Sequence, residues 1–390
     1  MQILALNFLF YTIGGVWRPI KWSSKCSICS YSVLNFFSLY LLTFFVLTQL
    51  IDTIFIVDNI DDFTTNLSLL LSAIAVYCKA VTATARRSEF ISLIKMLQEK
   101  PCKACNEEEI NIQMKYDRLI RSYTMSYSIL ASFSLTGITI GEVLIALQGE
   151  LPIRAWIPYD YTSTFLFWLT SLKLIVAMAL STFVNVATET VILGFCLQIC
   201  AQFDILICRL RKVIESDEKQ ENELNSATNK TSRLSENIHY HLYIIRFAKM
   251  VNKVFSQIVF IQFFVSILVL CTSVYYLSSH KTVTDFIKLG IYTSCMFVQI
   301  FMYCWAGNEI ILKSIGLSEA VYKMEWILLT ISERKDLLMI MMRSTKPIKF
   351  TSSFLVTLSL ESYATVSTKM NVIFEVLFNM AYNYIIFFIF

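Results

Sequence analysis

Residues 357–378, TLSLESYATVSTKMNVIFEVLF, form the last long apolar stretch of the chain, yet they hold Glu361, Lys369 and Glu375. Charge near the middle of a membrane helix costs about 2.5–3.5 kcal/mol per residue on insertion scales. Counted as a span, the stretch is the seventh, and the two chain ends lie on opposite sides. A final helix is expected from about Phe350 to Met380, after Pro347 and with Thr351 to Ser353 as caps. Its length of roughly 45 Å exceeds the ~30 Å of hydrocarbon. Glu361 therefore sits at the inner interface, Lys369 at mid-depth and Glu375 toward the outer end. At 100° per residue, Ser362, Thr365, Lys369, Val372, Val376 and Asn379 share an arc of roughly 100°. A mostly polar stripe on an apolar helix needs either water, as in a pore, or a span that packs against its small hydroxyls. The residues alone leave both readings open.

The rest of the composition agrees with a lipid setting. The chain is 56% hydrophobic and 16% charged, where a soluble chain carries about 25% charged residues; its mean hydropathy is +0.59. Seven stretches reach the roughly 20 residues needed to cross hydrocarbon, near 31–57, 66–84, 124–147, 164–195, 254–278, 285–306 and 351–378. The expectation is an all-α integral membrane protein made of one seven-helix unit over residues 1–390. The opening segment lacks a basic n-region and a small-residue cleavage site, so it reads as an uncleaved segment at the membrane.

Charge orients the chain. Segments 1–30, 85–123, 207–253 and 307–350 contain 27 of the 33 Lys and Arg residues, and the opposite loops keep only Arg154 and Lys281. Basic residues favour the cytosol, so the N-terminus is expected inside and the C-terminus outside. That orientation argues against a G-protein-coupled receptor, as does the missing NPxxY in the last span. None of the 11 cysteines falls in an expected outer loop. The sequon at Asn66 falls outside, close to the membrane, and the one at Asn229 falls in the cytosol.

Residues 299–366 bring together QIFMYCWAGNEIILKS, LSEAVYKMEW, RKDLLMIMMRSTKPIKFTSSF and LSLESYATV. This series resembles the C-terminal signature of insect odorant receptors, and GGVWRP, Pro158-Tyr159-Asp160 and ICAQFDIL fit the same family upstream. The resemblance implies an odorant-gated, non-selective cation channel of the plasma membrane of olfactory sensory neurons. In it a variable odorant-binding subunit joins a common co-receptor in a heterotetramer around one pore. The short segment between the fourth and fifth spans matches the ligand-tuned subunit. The amphipathic stretches 207–253 and 307–350 then correspond to a cytosolic helical anchor; a helix lying on the inner leaflet is the other reading of the second stretch. The last helix would line the conduction path, with Val376 at an aliphatic constriction, Asn379 one turn beyond, and Val372 and Lys369 on the same stripe. The chain departs from the family at Met370 to Glu375 and in its extra AYNYIIFFIF end.

The resemblance also implies a mostly apolar odorant cavity among spans 2 to 6 in the outer half of the membrane. Ser134, Gly137 and Gly141 share one face of span 3, where small residues open space and Ser134 offers a hydrogen bond. Close helix packing is the competing reading of those glycines. Tyr77, Phe167, Trp168, Met178 and Tyr276 are further candidates by depth and type. The expected partners are a small volatile odorant, the co-receptor and membrane lipid. No catalytic set, cofactor motif or nucleic-acid signature stands out. Cys26/Cys29 and Cys102/Cys105 have zinc-like spacing without a partner motif, so no metal is expected. A gustatory-receptor-like homomeric channel is the alternative.

Overall fold

A computed structural model describes residues 4–20, 22–57, 60–215, 223–279, 283–325, 329–352, 356–365 and 368. Water is absent from the hydrocarbon, so each spanning segment must satisfy its own backbone, and helices dominate for that reason. The order is α1 (Ala5–Ile13), α2 (Lys25–Ile51), α3 (Ile60–Ala85), α4 (Arg87–Gln98), α5 (Glu107–Leu147), α6 (Thr164–Glu215), α7 (Glu223–Ser279), α8 (Val283–Tyr322) and α9 (Ile331–Ser344). A single π-helical turn, Asp52–Ile56, closes α2. Among the described residues six helices are long and apolar enough to cross a membrane: α2, α3, α5, α6, α7 and α8. The seventh expected span lies, beyond Thr365 and apart from Thr368, outside the described residues.

α6 is the central post. Its sequence is apolar on every face, and a helix of that kind is buried. Of its apolar window 83% is buried, against 11% for α5, and it packs against α1, α2, α3, α5, α7 and α8. Several polar residues of α6 find partners as they are enclosed. Lys79 Nζ of α3 stands 2.5 Å from Glu189 Oε1 and 2.6 Å from Asn185 Oδ1, and both charged side chains are 1% exposed. Tyr11 donates to Thr188 at 2.9 Å, and Asn7 donates to the Thr190 carbonyl at 3.0 Å and to Thr124 of α5 at 2.9 Å. Short α1 is thereby fastened into the bundle by its polar side chains as well as by Phe8, with Trp17 just beyond the helix in the same core.

Between α9 and the last span the structure differs from the expected helix. Thr351–Ser352 and Val356–Thr357 form two short antiparallel strands, β1 and β2, with Thr351 opposite Thr357. The hairpin is held from outside its own sequence: the Thr351 amide donates to Asn252 Oδ1 of α7 at 3.1 Å, and Ser256 donates to the Thr351 carbonyl at 3.1 Å. Leu358 N–H closes the hairpin on Phe350 at 2.8 Å. A Cβ at Gly307 of α8 would clash with the Leu358 carbonyl, so glycine admits this close approach. Helix resumes at Leu360, and the cap is Ser359, whose hydroxyl accepts the Ser362 amide at 3.2 Å. Thr351 and Ser352 lie in β1 and are therefore not its cap, and Ser353 lies outside the described residues. The helix α9, by contrast, starts on a capping box in which Thr330 and Glu333 exchange hydrogen bonds.

The buried pair makes a measurable demand on stability. Lys79→Ala leaves Glu189 charged and unpaired in the bundle, which costs about 3–5 kcal/mol. The expected result is a large loss of thermal stability in detergent, read by fluorescence-detected size exclusion after heating. Lys79→Met combined with Glu189→Gln, which removes both charges, should recover most of that loss.

Candidate functional site

The end of the bundle remote from most Lys and Arg is built by the α2–α3 turn, the 148–163 loop and the first turns of α6. Arg154 pairs there with Asp62 and lies 3.4 Å from Asp52. Asn66, which carries the sequon expected on this side, is 6% exposed and donates to Asp52 at 2.5 Å. Its amide is thus engaged inside the fold.

The expected odorant-contact residues fall in separate places. Phe167 and Trp168 meet edge-on, 5.7 Å apart at 82°. With Ala146, Leu147, Gly149 and Tyr161 they line a pocket of about 390 Å³ between the ends of α5 and α6. Met178, ten residues along α6, packs instead into an apolar cluster with Leu41, Phe45, Leu174 and Ala177. Tyr77 borders a groove of about 500 Å³ between α3 and α7, with Val81, Gln257 and Phe260. Ser134 is half-buried on α5. Gly137 and Gly141 face open space, with nothing within 4 Å of a Cβ at either position. Among the described residues, then, no neighbouring helix contacts this small-residue face at either glycine. The side chain of Tyr276 lies outside the described residues, as do Lys369, Val372, Val376 and Asn379.

The fold also gathers polar side chains that the sequence reading passed over. Glu142, one turn before Ala146 on α5, is 8% exposed, and its Oε2 has no partner among the described residues. Ser171, one turn beyond Phe167 on α6, is 1% exposed with its hydroxyl likewise unpartnered. Each stands one helical turn from a residue that lines the α5–α6 pocket, Ala146 and Phe167 respectively, without lining it. At mid-bundle, Gln262 of α7 donates to Gln299 of α8 at 2.8 Å, and Gln299 donates to Tyr127 of α5 at 3.3 Å. Polar contacts of this type hold membrane helices together. The one available signal in the sequence was a lone charge within an apolar run, as at Glu142 and Glu189.

The cysteine pairs do not present matched thiols. Cys26, Cys29 and Cys105 are exposed, whereas Cys102 is buried. Burial pushes the Cys102 thiol up to about 12, only partly opposed by Arg209. No group of three or more metal-ligating side chains occurs among the described residues.

Comparison with known proteins gives a consistent result. A family model described as "7tm Odorant receptor" matches residues 59–370. Odorant receptor 46a, isoform A, of Drosophila melanogaster is 27% identical over 201 residues, 50% of each chain. Odorant receptor 22c of the same organism is 25% identical over 225 residues, 55% of this chain and 56% of that one. The chain thus spans about half the length of these curated relatives. In three dimensions it is similar to the insect olfactory receptor OR5 from Machilis hrabei in complex with eugenol, with a TM-score of 0.81, 17% identity and coverage of 97% of both chains.

Thiol chemistry separates the two cysteines of the α4–α5 loop. At pH 7.5 a maleimide should label Cys105 promptly and leave Cys102 unmodified, because the reactive thiolate of Cys102 is suppressed by burial. Mass spectrometry of single-cysteine variants reads the difference; equal labelling rates would show that the loop is open.

Proposed function

The chain belongs to the 7tm odorant receptor family, and from that premise we propose that it is the odorant-binding subunit of a heterotetrameric, ligand-gated, non-selective cation channel formed with the common co-receptor. The family match across residues 59–370 carries this reading. The short segment between the fourth and fifth expected spans, residues 196–253, supports the ligand-tuned subunit rather than the co-receptor. In α9, Leu337 and Ile340 are buried, while Leu338, Met339 and Met342 are 53%, 55% and 64% exposed. One apolar face is therefore left for a neighbouring subunit, as an anchor helix requires.

The proposed orientation puts the basic end in the cytosol, since Lys and Arg are retained there, and the protein in the plasma membrane of olfactory sensory neurons. The odorant site is proposed in the outer half of the bundle, where Phe167 and Trp168 supply apolar walls; Tyr77, Ser134, Gly137, Gly141, Met178 and Tyr276 remain proposed contacts. Few polar groups suffice for a small volatile ligand, and Glu142 adds one that favours odorants bearing a hydrogen-bond donor. For the pore, an aliphatic ring at Val376 gates by dewetting, with Asn379, Val372 and Lys369 on the same stripe.

Co-expression with a co-receptor and perfusion of a volatile panel should give inward cation current. Eugenol, held by the Machilis hrabei receptor, is a reasonable first member of that panel. Silence across a broad panel with full surface expression counts against the proposal, and current without a co-receptor favours a homomeric, gustatory-like channel. Val376→Ala should raise current in the absence of odorant. Labelling of an epitope after Phe390 on intact cells, with no glycan on Asn229, checks the orientation.

A further inference from the structure

At the basic end, the α4–α5 loop, the start of α5, the end of α6 and the early part of α7 surround a cleft of about 980 Å³. Six Lys and Arg side chains line it (Lys100, Lys103, Arg209, Lys212, Arg233 and Arg246) against two glutamates, Glu109 and Glu236. Two of the cations are already committed. Arg209 is tied to Glu109 at 2.8 Å, to the Pro101 and Lys103 carbonyls at 2.8 and 3.0 Å, and lies over the Tyr240 ring at 4.6 Å. Lys212 pairs with Glu108 at 3.0 Å. Lys100, Lys103, Arg233 and Arg246 have no acidic partner among the described residues and are exposed at the mouth. The locked Arg209 makes a rigid wall, and among the described lining residues the four remaining cations outnumber the one remaining acid, Glu236.

We propose that this cleft binds a soluble, multiply phosphorylated organic anion. Clustered guanidinium and ammonium groups are the recognition chemistry for phosphate oxygens. Depth separates a dissolved ligand from a lipid headgroup. Arg209 stands 14 residues past position 195, the expected inner end of the fourth span, or roughly 21 Å along a helix. Glu109 stands 15 residues before position 124, the expected start of the third span, or roughly 22 Å. A headgroup layer reaches only about 5–7 Å beyond the hydrocarbon. The ligand therefore comes from solution, on the side that the charge distribution assigns to the cytosol. The cleft is lined by α4–α5, α5, α6 and α7, three of which continue into the membrane bundle. Occupancy would thus brace helices of that bundle from below.

The test uses the purified full chain in detergent. Inositol hexakisphosphate and ATP should each raise the melting temperature and bind saturably, beyond the effect of sulfate at matched ionic strength. Arg233→Gln with Arg246→Gln, both exposed and remote from the core, should weaken binding about tenfold or more per arginine lost. Lys323→Gln, at an exposed cation paired with Glu319 away from the cleft, should leave it unchanged. Equal effects of sulfate, unaltered binding by the double variant, or binding only to vesicles containing phosphatidylinositol 4,5-bisphosphate would each overturn the proposal. So would binding that emerges only when Asp217, Glu218 and Glu221 are neutralised, since that acidic run would then be the cleft's own counter-charge. None of these readouts depends on odorant response.

Discussion

The Lys79–Glu189 pair sits where an ion is most expensive, in the apolar middle of a helical bundle with both side chains 1% exposed. Desolvating two charges costs more than an ordinary contact returns, and the cost is recovered only by close geometry and further hydrogen bonds. Asn185 supplies one such bond. Tyr303 lies beside the same carboxylate, although its hydroxyl and Glu189 Oε2 stop short of hydrogen-bond geometry. The pair can exist only if α3 and α6 are neighbours at one register. It therefore specifies the arrangement of the bundle more narrowly than apolar packing does, because lipid tails are as apolar as leucine and give helices little reason to choose one neighbour over another.

From that level the polar layer spreads outward through α6. Thr188 and Thr190 take α1, Gln198 takes Asp117 of α5 at 2.8 Å, and Gln202 takes Tyr240 of α7 at 2.7 Å. Nearer the basic end the links become ionic again. Lys313 of α8 reaches Asp204 of α6 at 2.7 Å, and the same carboxylate accepts Tyr116 of α5 at 2.7 Å. One helix thus carries a series of partners from the apolar middle into the basic region. From Asn185 to Asp204 a movement of α6 therefore has hydrogen-bonded neighbours on α1, α3, α5, α7 and α8 through which to act. Such a path is a physical connection, and coupling along it is a matter for measurement.

The two ends of the bundle differ in how they manage polar groups. The basic end pairs its acids closely, as at Glu109, whose carboxylate holds Arg209 and also accepts the Cys105 amide at 2.9 Å. The opposite end leaves the Glu142 Oε2 and the Ser171 hydroxyl buried without partners among the described residues. Buried polar atoms normally pair, so exceptions call for an explanation. The proposed odorant site would supply one, since a site for small ligands must keep hydrogen-bonding capacity in reserve.

Hydropathy alone determined that this chain is a multi-span helical membrane protein, because each span must be apolar over its own twenty or so residues and that is a local property. The charge asymmetry was equally legible, as was the amphipathic run around α9. The partner of Lys79 was not, because pairing depends on which spans become neighbours, and no local sum contains that. The pairing of Thr351–Ser352 with Val356–Thr357 was missed for a related reason: Thr and Ser before an apolar run read as a helix cap, while Asn252 and Ser256, about a hundred residues away, hold the Thr351 backbone in a strand. Gly137 and Gly141 likewise read as a small-residue face, and only the packing around α5 decided that none of the described residues stands against it. Tertiary structure decided these points because each turns on a contact between segments remote in sequence.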